Sequence, residues 1–493
     1  MFFIKHRELI MHYILPKDRT QTSIMRSSLD EMIGVDAEVR ILDLLITEIV
    51  RQNQGKFRYK GKIRVGRKAY SPETMLKLYL YGYLNKIRSS RNLEAECNRN
   101  LEVMWLLGSL APDFKTISDY RKDNGKQIKF LTRQIRLFLR DKKYIKGEVV
   151  AIDGTKLKAN AKREMLTRSG LERRLSKMAD EMKDYLAELE ENDVFDDQDH
   201  DDRSSHRQLL DKVVKLEQEL ERLQGYKEDM DNRGVNYYSP ADPDAKLLKA
   251  REGKIPGYNV QSAVDSEYGI IVSLEVCDSA VDQQQLKSMV DQVEQDIGIA
   301  PEKVPADKGY YNPDMIEEIE AEGKTMCAVP APRSSRDKDE IEFKYNEDAD
   351  EYICSQGKCL VLLSRNKKKR ASIANVYQGK DCDGCSLRSV CTTSKTGRII
   401  HRYHNQKWRD RYRDRIQTRA VKELISQRKT IVEHPFGTIR ALMGKTQFLL
   451  RGRPKVQIEV DLYGTVYNMR RILNIVSFTD LKEMIAEYDW QMA

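Results

Sequence analysis

Asp153 follows the apolar run Val149-Val150-Ala151-Ile152 and precedes Gly154; Asp307 follows Val304-Pro305-Ala306 and stands two residues before Gly309. Both runs have the composition of short buried strands. Carboxylates at the C-terminal ends of adjacent strands can converge on one point, where open α/β sheets place their sites. Glu433, near the end of a basic helical stretch, offers a third carboxylate. Three carboxylates around Mg²⁺ or Mn²⁺ would suit two-metal phosphoryl transfer. One ion lowers the pKa of an attacking water or 3′-hydroxyl, and the other steadies the leaving oxygen. The pattern alone is not specific, because Asp-Gly is most often a turn and the chain has 77 acidic residues to draw from. His434 beside Glu433 reads as structural or as a nucleic-acid contact, since a metal-activated nucleophile needs no general base.

A second group of candidates is the cysteines. Of eight, five crowd into one segment: Cys354, Cys359, Cys382, Cys385 and Cys391. The spacing Cys382-x2-Cys385-x5-Cys391, with Cys354 or else Cys359 as a fourth thiolate, suits a structural Zn²⁺. The competing reading is a set of buried or free thiols. A third feature is basic. Arg398, Arg402, Lys407, Arg409, Arg411, Arg413 and Arg415 are interleaved with Tyr403, Trp408 and Tyr412. Arg409 and Arg413 are candidates for phosphate contact. Trp408 and Tyr412 fall on the apolar stripe of a helix, so core packing is the better reading for them.

These residues need a scaffold. Residues 1–146 read as helices, with apolar spacing from Leu29 to Val50 and a helix opening at Ser71-Pro72-Glu73, Pro in the first turn. Then come a strand at 147–152, a hairpin of strands at 258–264 and 270–276, a helix over 283–297, a strand at 303–306, a helix from Asn312-Pro313 and a strand at 325–329. That order gives a mixed α/β layer fold. Two segments interrupt it. Residues 162–234 hold two coiled-coil seams around the acidic stretch ENDVFDDQDHDD, read as an antiparallel helical hairpin with a solvated loop. Residues 333–394 hold the cysteines. A long helix comes next, with Trp408, Tyr412, Ile416, Ala420 and Leu424 four apart, and Pro435 should end or kink it. The expected division is a helical domain at 1–146, a catalytic domain assembled from 147–161, 235–332 and 395–476, the two insertions, and a tail at 477–493.

The chain has 493 residues, enough for several domains. No apolar run approaches the ~18 residues of a membrane span, and no apolar leader is evident, so a cytoplasmic location without membrane partners is expected. Its net charge of +9 is unevenly spread. Residues 1–146 carry 30 basic and 16 acidic side chains, residues 162–230 carry 13 and 20, and residues 392–493 carry 20 and 10. Two basic ends flanking an acidic insertion suggest a polyanionic partner, nucleic acid above all, against the blander reading of solvated helix faces.

Several blocks, in order, resemble bacterial insertion-sequence transposases with an RNase H-like DDE catalytic domain. They are YSPETMLKLYLYGYLNKIRSSRNLEAECNRN, PDFKTISDYRKDN, AIDGTKLKANA, GYNVQSAVD, ADKGYYNP, and VEHPFGTIRALMG with FLLRG. The resemblance implies that Asp153, Asp307 and Glu433 are the metal-binding catalytic acids. It also implies a helical N-terminal domain that binds terminal inverted repeats, target DNA as second substrate, and a homodimer in the active complex. Relatives often place a Tyr, an Arg and a Lys around the glutamate. Here those positions hold Ser426, Lys429 and Arg440, so the cations persist in kind and the Tyr does not. Lys429 and Arg440 are thus candidate DNA contacts, or ordinary surface cations. A silent DNA-binding relative and a metal-dependent nuclease are the competing functions.

Overall fold

A computed structural model describes residues 28–57, 69–163, 165–195, 203–250, 253–323, 326–330, 341–369, 372–444 and 447–491. Among the described residues six helices come first: α1 (Glu38–Gln52), α2 (Pro72–Leu84), α3 (Ser90–Cys97), α4 (Leu101–Leu106), α5 (Phe114–Asp123) and α6 (Gly125–Asp141). The start of α1 falls later than the apolar spacing from Leu29 suggests. Arg40 explains this: its guanidinium holds Asp30 at 2.7 Å and the Ile33 and Gly34 carbonyls, fixing the preceding residues as turns. The opening of α2 is as expected. Ser71 Oγ accepts the Thr74 N–H at 3.1 Å and Pro72 needs no donor in the first turn. The sequence reading had no counterpart of α6, whose Ile128, Leu131, Ile135, Phe138 and Leu139 are buried at helical spacing.

The next elements are β1 (Val150–Lys158), β2 (Leu166–Thr167), α7 (Arg168–Phe195), α8 (Arg203–Asn232), β3 (Tyr237–Tyr238), β4 (Lys246–Ala250), β5 (Gly253–Asp265) and β6 (Ile271–Cys277). Then come α9 (Leu286–Ile297), β7 (Lys303–Pro305), α10 (Pro313–Ala321) and β8 (Met326–Ala328). β5 pairs antiparallel with β1, β4 and β6. β1 bridges β7 in parallel, through Val149 to Lys303 and Ile152 to Ala306, and β7 pairs in parallel with β8. The central order is therefore β6-β5-β1-β7-β8, three antiparallel strands followed by two parallel ones. This mixed α/β arrangement is RNase H-like. α7 and α8 form the antiparallel hairpin expected of 162–234, clamped at its base by β2 and β3. Part of the acidic loop, 196–202, lies outside the described residues.

The cysteine segment is a sheet in its own right: β9 (Phe343–Asn346), β10 (Glu351–Cys354), β11 (Cys359–Lys369), β12 (Ser372–Gly379), the one-turn helix α11 (Arg388–Cys391), and β13 (Ile399–Tyr403). The strand order is β13-β12-β11-β10-β9, all antiparallel. Ile399–Tyr403, which the sequence patterning assigns to the catalytic domain from residue 395 onward, instead completes this sheet.

Four helices close the chain: α12 (Gln406–Gln417), α13 (Arg419–Met443), α14 (Arg453–Ile475) and α15 (Phe478–Ala486). The single long helix expected from the four-residue spacing breaks at Thr418, which has extended backbone angles. Pro435, expected to end or kink the helix, lies inside α13. It is buried there with Val432, Phe436 and Ile439, and that packed face offsets one missing N–H donor. α14 is buried along most of its length and is the hub of the molecule. It packs on α2, α6, α13 and β6. The N-terminal helices and the RNase H-like sheet consequently share one core. The segment after 476 is no loose tail, since α15 docks on α1 and Trp490 is fully buried against Phe138.

Candidate active site

The parallel bridge from Ile152 to Ala306 sets the register of β1 against β7. The residues that come next in each chain are Asp153 and Asp307, so the two acids stand side by side. They stand differently from what the sequence suggests. Asp307 follows the end of β7, and its side chain caps a short 3₁₀ turn by accepting the Gly309 N–H. Asp153 does not end its strand: β1 runs on to Lys158, with Asp153 opposite Ser262 of β5. The Asp-Gly pair is an in-strand step. The close approach of neighbours is what requires glycine there. A Cβ on Gly154 would collide with Gln261 Nε2, and would lie 3.0 Å from Asp282 Oδ1 and 3.1 Å from the Tyr310 hydroxyl.

Asp282 is a fourth acid that sequence reasoning missed. It sits in the loop before α9, and its Oδ1 accepts the Asn259 and Gln261 side-chain amides, each at 2.8 Å. Both amides are buried on β5, and Gln261 also accepts the hydroxyl proton of Tyr310. Burial foremost, and then the nearby acids Asp282, Asp153 and Asp307, raise the pKa of that hydroxyl well above the usual range. Polar residues at alternate positions on a buried strand, Asn259 and Gln261 within GYNVQSAVD, were the available signal.

α13 crosses β1 and brings cations to it. Arg428 Nη1 lies 3.3 Å from Asp153 Oδ2, with both side chains largely shielded. The Gly154 N–H donates to Asp153 Oδ1 at 2.9 Å. Burial nevertheless dominates and raises the Asp153 pKa; Arg428 and the Gly154 N–H pull it down, while Asp307 and Asp282 push it up. Arg428 was not among the sequence candidates. Arg440, which was, donates to the Thr155 hydroxyl two residues beyond Asp153. Glu433 lies on α13 between these two arginines. It is exposed, with Lys429 3.9 Å away and itself exposed. His434 Nδ1 is 3.0 Å from the Tyr467 hydroxyl, a structural contact.

The basic stretch divides. Arg409 is turned inward: its guanidinium pairs with Asp314 at 2.7 Å, bonds Asn405, and lies 3.9 Å from the Tyr403 ring. Its charge is satisfied within the protein, so it is not free to meet a phosphate. Arg413 is exposed, 3.6 Å from Asp410. Tyr412 is core, as its place on the stripe indicated. Its hydroxyl donates to the Val329 carbonyl at 2.7 Å and accepts the Val329 N–H at 2.9 Å.

The acids supply oxygen donors of the kind hard divalent cations take. Among the described residues, no three Cys, His, Asp or Glu side chains as placed are close enough to share one ion. Asp153 is neutralised by Arg428 and Glu433 stands outward. The donor chemistry fits a divalent metal. Among the described residues, no helix is long and apolar enough to cross a membrane.

Two families match the chain. One, described as a transposase DDE domain, matches residues 353–473, which include Glu433. The other, described as a transposase domain (DUF772), matches residues 27–123. The fold defines the class as RNase H-like. Together the two matches, which cover separate parts of the chain, support an insertion-sequence transposase of the DDE class. No curated protein matches it. A solved structure, the cryo-EM structure of a piggyBac transposase synaptic complex with hairpin DNA, aligns over 92% of this chain and 79% of its own. Sequence identity is 10% and the TM-score 0.34.

Proposed function

We propose that this transposase binds the terminal inverted repeats of its element and performs both strand cleavage and strand transfer at the Asp153–Asp307–Glu433 site. The single observation that carries the reading is the register of β1 on β7, which sets Asp153 beside Asp307 beneath the helix that bears Glu433. In this reading Asp153 and Asp307 hold Mg²⁺ or Mn²⁺, with Glu433 completing the set. The metal, when bound, supplies the Lewis acidity that activates the nucleophile and steadies the leaving oxygen.

The chain's own residues do the positioning. Asp282, fixed by two amides, keeps the floor of the site acidic. Arg428 and Arg440 flank the acids, and with Lys429 they are placed to take the phosphates on either side of the scissile bond. Arg428 would exchange Asp153 for a phosphate as the metal enters. In cleavage, water attacks the phosphorus at the element end, the bond to the 3′-oxygen breaks, and the element strand leaves with a free 3′-hydroxyl. In transfer, that hydroxyl attacks a target phosphodiester and displaces the target's own 3′-oxygen. The helical residues 1–146, net +14 by their 30 basic and 16 acidic side chains, would bind the repeat. Two ends need two sites, so a homodimer is expected in the active complex.

The test is an Mg²⁺-dependent cleavage and joining assay on the DNA ends flanking the gene. Wild type is compared with Asp153→Asn, Asp307→Asn and Glu433→Gln. Cleavage and joining are expected from wild type, and loss of at least a hundredfold of both from each variant with end binding retained. Cleavage without joining would make the protein a nuclease. Specific end binding without any cleavage would make it a silent relative.

A further inference from the structure

The cysteine sheet contributes no group to the chemistry above, yet it gathers five of the chain's eight thiols at one end. Two turns build that end. The first joins β10 to β11. The Cys354 N–H donates to the Lys358 carbonyl and the Gly357 N–H to the Cys354 carbonyl, each at 2.9 Å. Gly357 takes the left-handed conformation (φ +71°) that closes the turn. The second is Cys382-Asp383-Gly384-Cys385, with Gly384 again left-handed at φ +70°. α11 then brings Cys391 back over the turn, its N–H bonded to the Leu387 carbonyl at 2.8 Å. Cys354, Cys359, Cys382, Cys385 and Cys391 thereby line one small cavity of about 30 Å³, along with Phe343, Leu360 and Leu387.

Three features separate this cluster from a set of idle thiols. Cys382 Sγ is held from two sides, accepting the Arg398 backbone N–H at 3.5 Å and donating to the Gly379 carbonyl at 3.5 Å. Arg398 lines the same cavity and offers positive charge beside it, as does Arg388, which also pairs with Asp383. The sheet also has little else to hold it together. Its own buried cluster is Tyr352, Leu360 and Tyr377, while Val361, Leu363, Ile373, Val390 and Ile399 are exposed. Units with so small a core commonly depend on a staple. As placed, the thiols line the cavity without meeting as a ligand group.

We propose that Cys354, Cys382, Cys385 and Cys391 close on one Zn²⁺ as a tetrahedral Cys₄ site that staples this sheet. Four Zn–S bonds form, four thiol protons leave to solvent, and the resulting net charge of −2 is met by Arg388 and Arg398. The geometry chooses between the two candidates for the fourth ligand. Cys359 is exposed and shares its thiol proton with Glu351 at 3.4 Å, so Cys354 is the ligand and Cys359 is not. The proposal does not depend on the transposase chemistry.

The experiment is metal analysis of the full-length protein purified under reducing conditions, with Co²⁺ substitution as a second readout. One zinc per chain is expected. Cys382→Ser and Cys385→Ser should each lose it, and Cys359→Ser should keep it. Co²⁺ titrated into demetallated wild type should give the thiolate-to-cobalt charge-transfer band of four thiolates, which tests the site even if the serine variants do not fold. Wild type that carries no zinc and gives no such band on titration would overturn the proposal. Loss of the ion from Cys359→Ser would overturn the choice of ligands.

Discussion

Replacing Asp461 with asparagine should make the protein more stable at neutral pH and leave it little changed in mild acid. Asp461 lies on α14 and is buried where that helix meets α6 and β6. One guanidinium there, Arg136, faces three carboxyl groups. It pairs with Asp296 at 2.7 Å, and Lys129 is the further cation that bears on both Asp461 and Glu275. Burial foremost pushes the Asp461 pKa up from 3.8 to about 7, against the pull of Arg136 and of the Gln457 amide at 2.9 Å. The sign is set by proton uptake. Between the two values the folded chain holds a proton that the unfolded chain has lost, so stability falls as pH rises from 3.8 to about 7. Three pH units at ~1.4 kcal/mol each amount to about 4 kcal/mol, of which about 3 kcal/mol falls between pH 5 and 8. Asparagine stays neutral throughout and can still accept the Gln457 amide. Urea unfolding of both proteins, followed by circular dichroism from pH 5 to 8, should show the variant's advantage growing by that amount. Advantage curves flat with pH would mean that Asp461 ionises normally in the fold, and the argument from unpaired burial would fail.

Two further predictions concern the site. Gly154→Ala places a methyl group against Gln261 and Asp282, so it should cost at least tenfold in strand cleavage while terminal-repeat binding, measured by mobility shift, is retained; unchanged cleavage would show that this close packing is not required. Arg428→Gln removes the cation that neutralises Asp153, so Mn²⁺ should bind the DNA-free protein severalfold more tightly by calorimetry. Weaker binding would mean that the Arg428–Asp153 pair does not compete with metal.

What the sequence could reveal was governed by range. Local signals read true: Ser71-Pro72 as a helix start, the heptad seams of α7 and α8, the hairpin around 266–269, and the strand that ends at Asp307. Signals that depend on a distant partner did not. Asp153-Gly154 resembles a turn because nothing local reveals that Gln261 and Asp282 press on Gly154 from across the sheet. Ile399–Tyr403 becomes a strand only because β12 offers its edge. Pro435 stays helical because its face is buried, and Thr418 breaks a stripe whose spacing continues unperturbed on both sides. Arg428 and Asp282 are ordinary charges until β1 and β5 are laid beside them. Arg409 looked available to DNA for the same reason, since Asp314 lies far off in the chain and beside it in space.

The clamp of β2 on β3 bears on how this chain folds at all. Strand β1 must wait for β5, with which it pairs from Val150↔Asp265 to Lys158↔Gly257, and the whole helical arm is synthesised between them. A flexible connection of that length would make the pairing slow and leave a bare edge open to aggregation. The arm, however, is local contact: α7 packs on α8, the next helix in the chain, and Leu166 and Tyr238 meet at its foot. Once zipped, it shortens the effective distance between the two strands to the few residues on either side of the foot. An appendage that adds nothing to the sheet can thus set the rate at which the sheet closes, and lengthening it by whole heptads should leave that rate nearly unchanged.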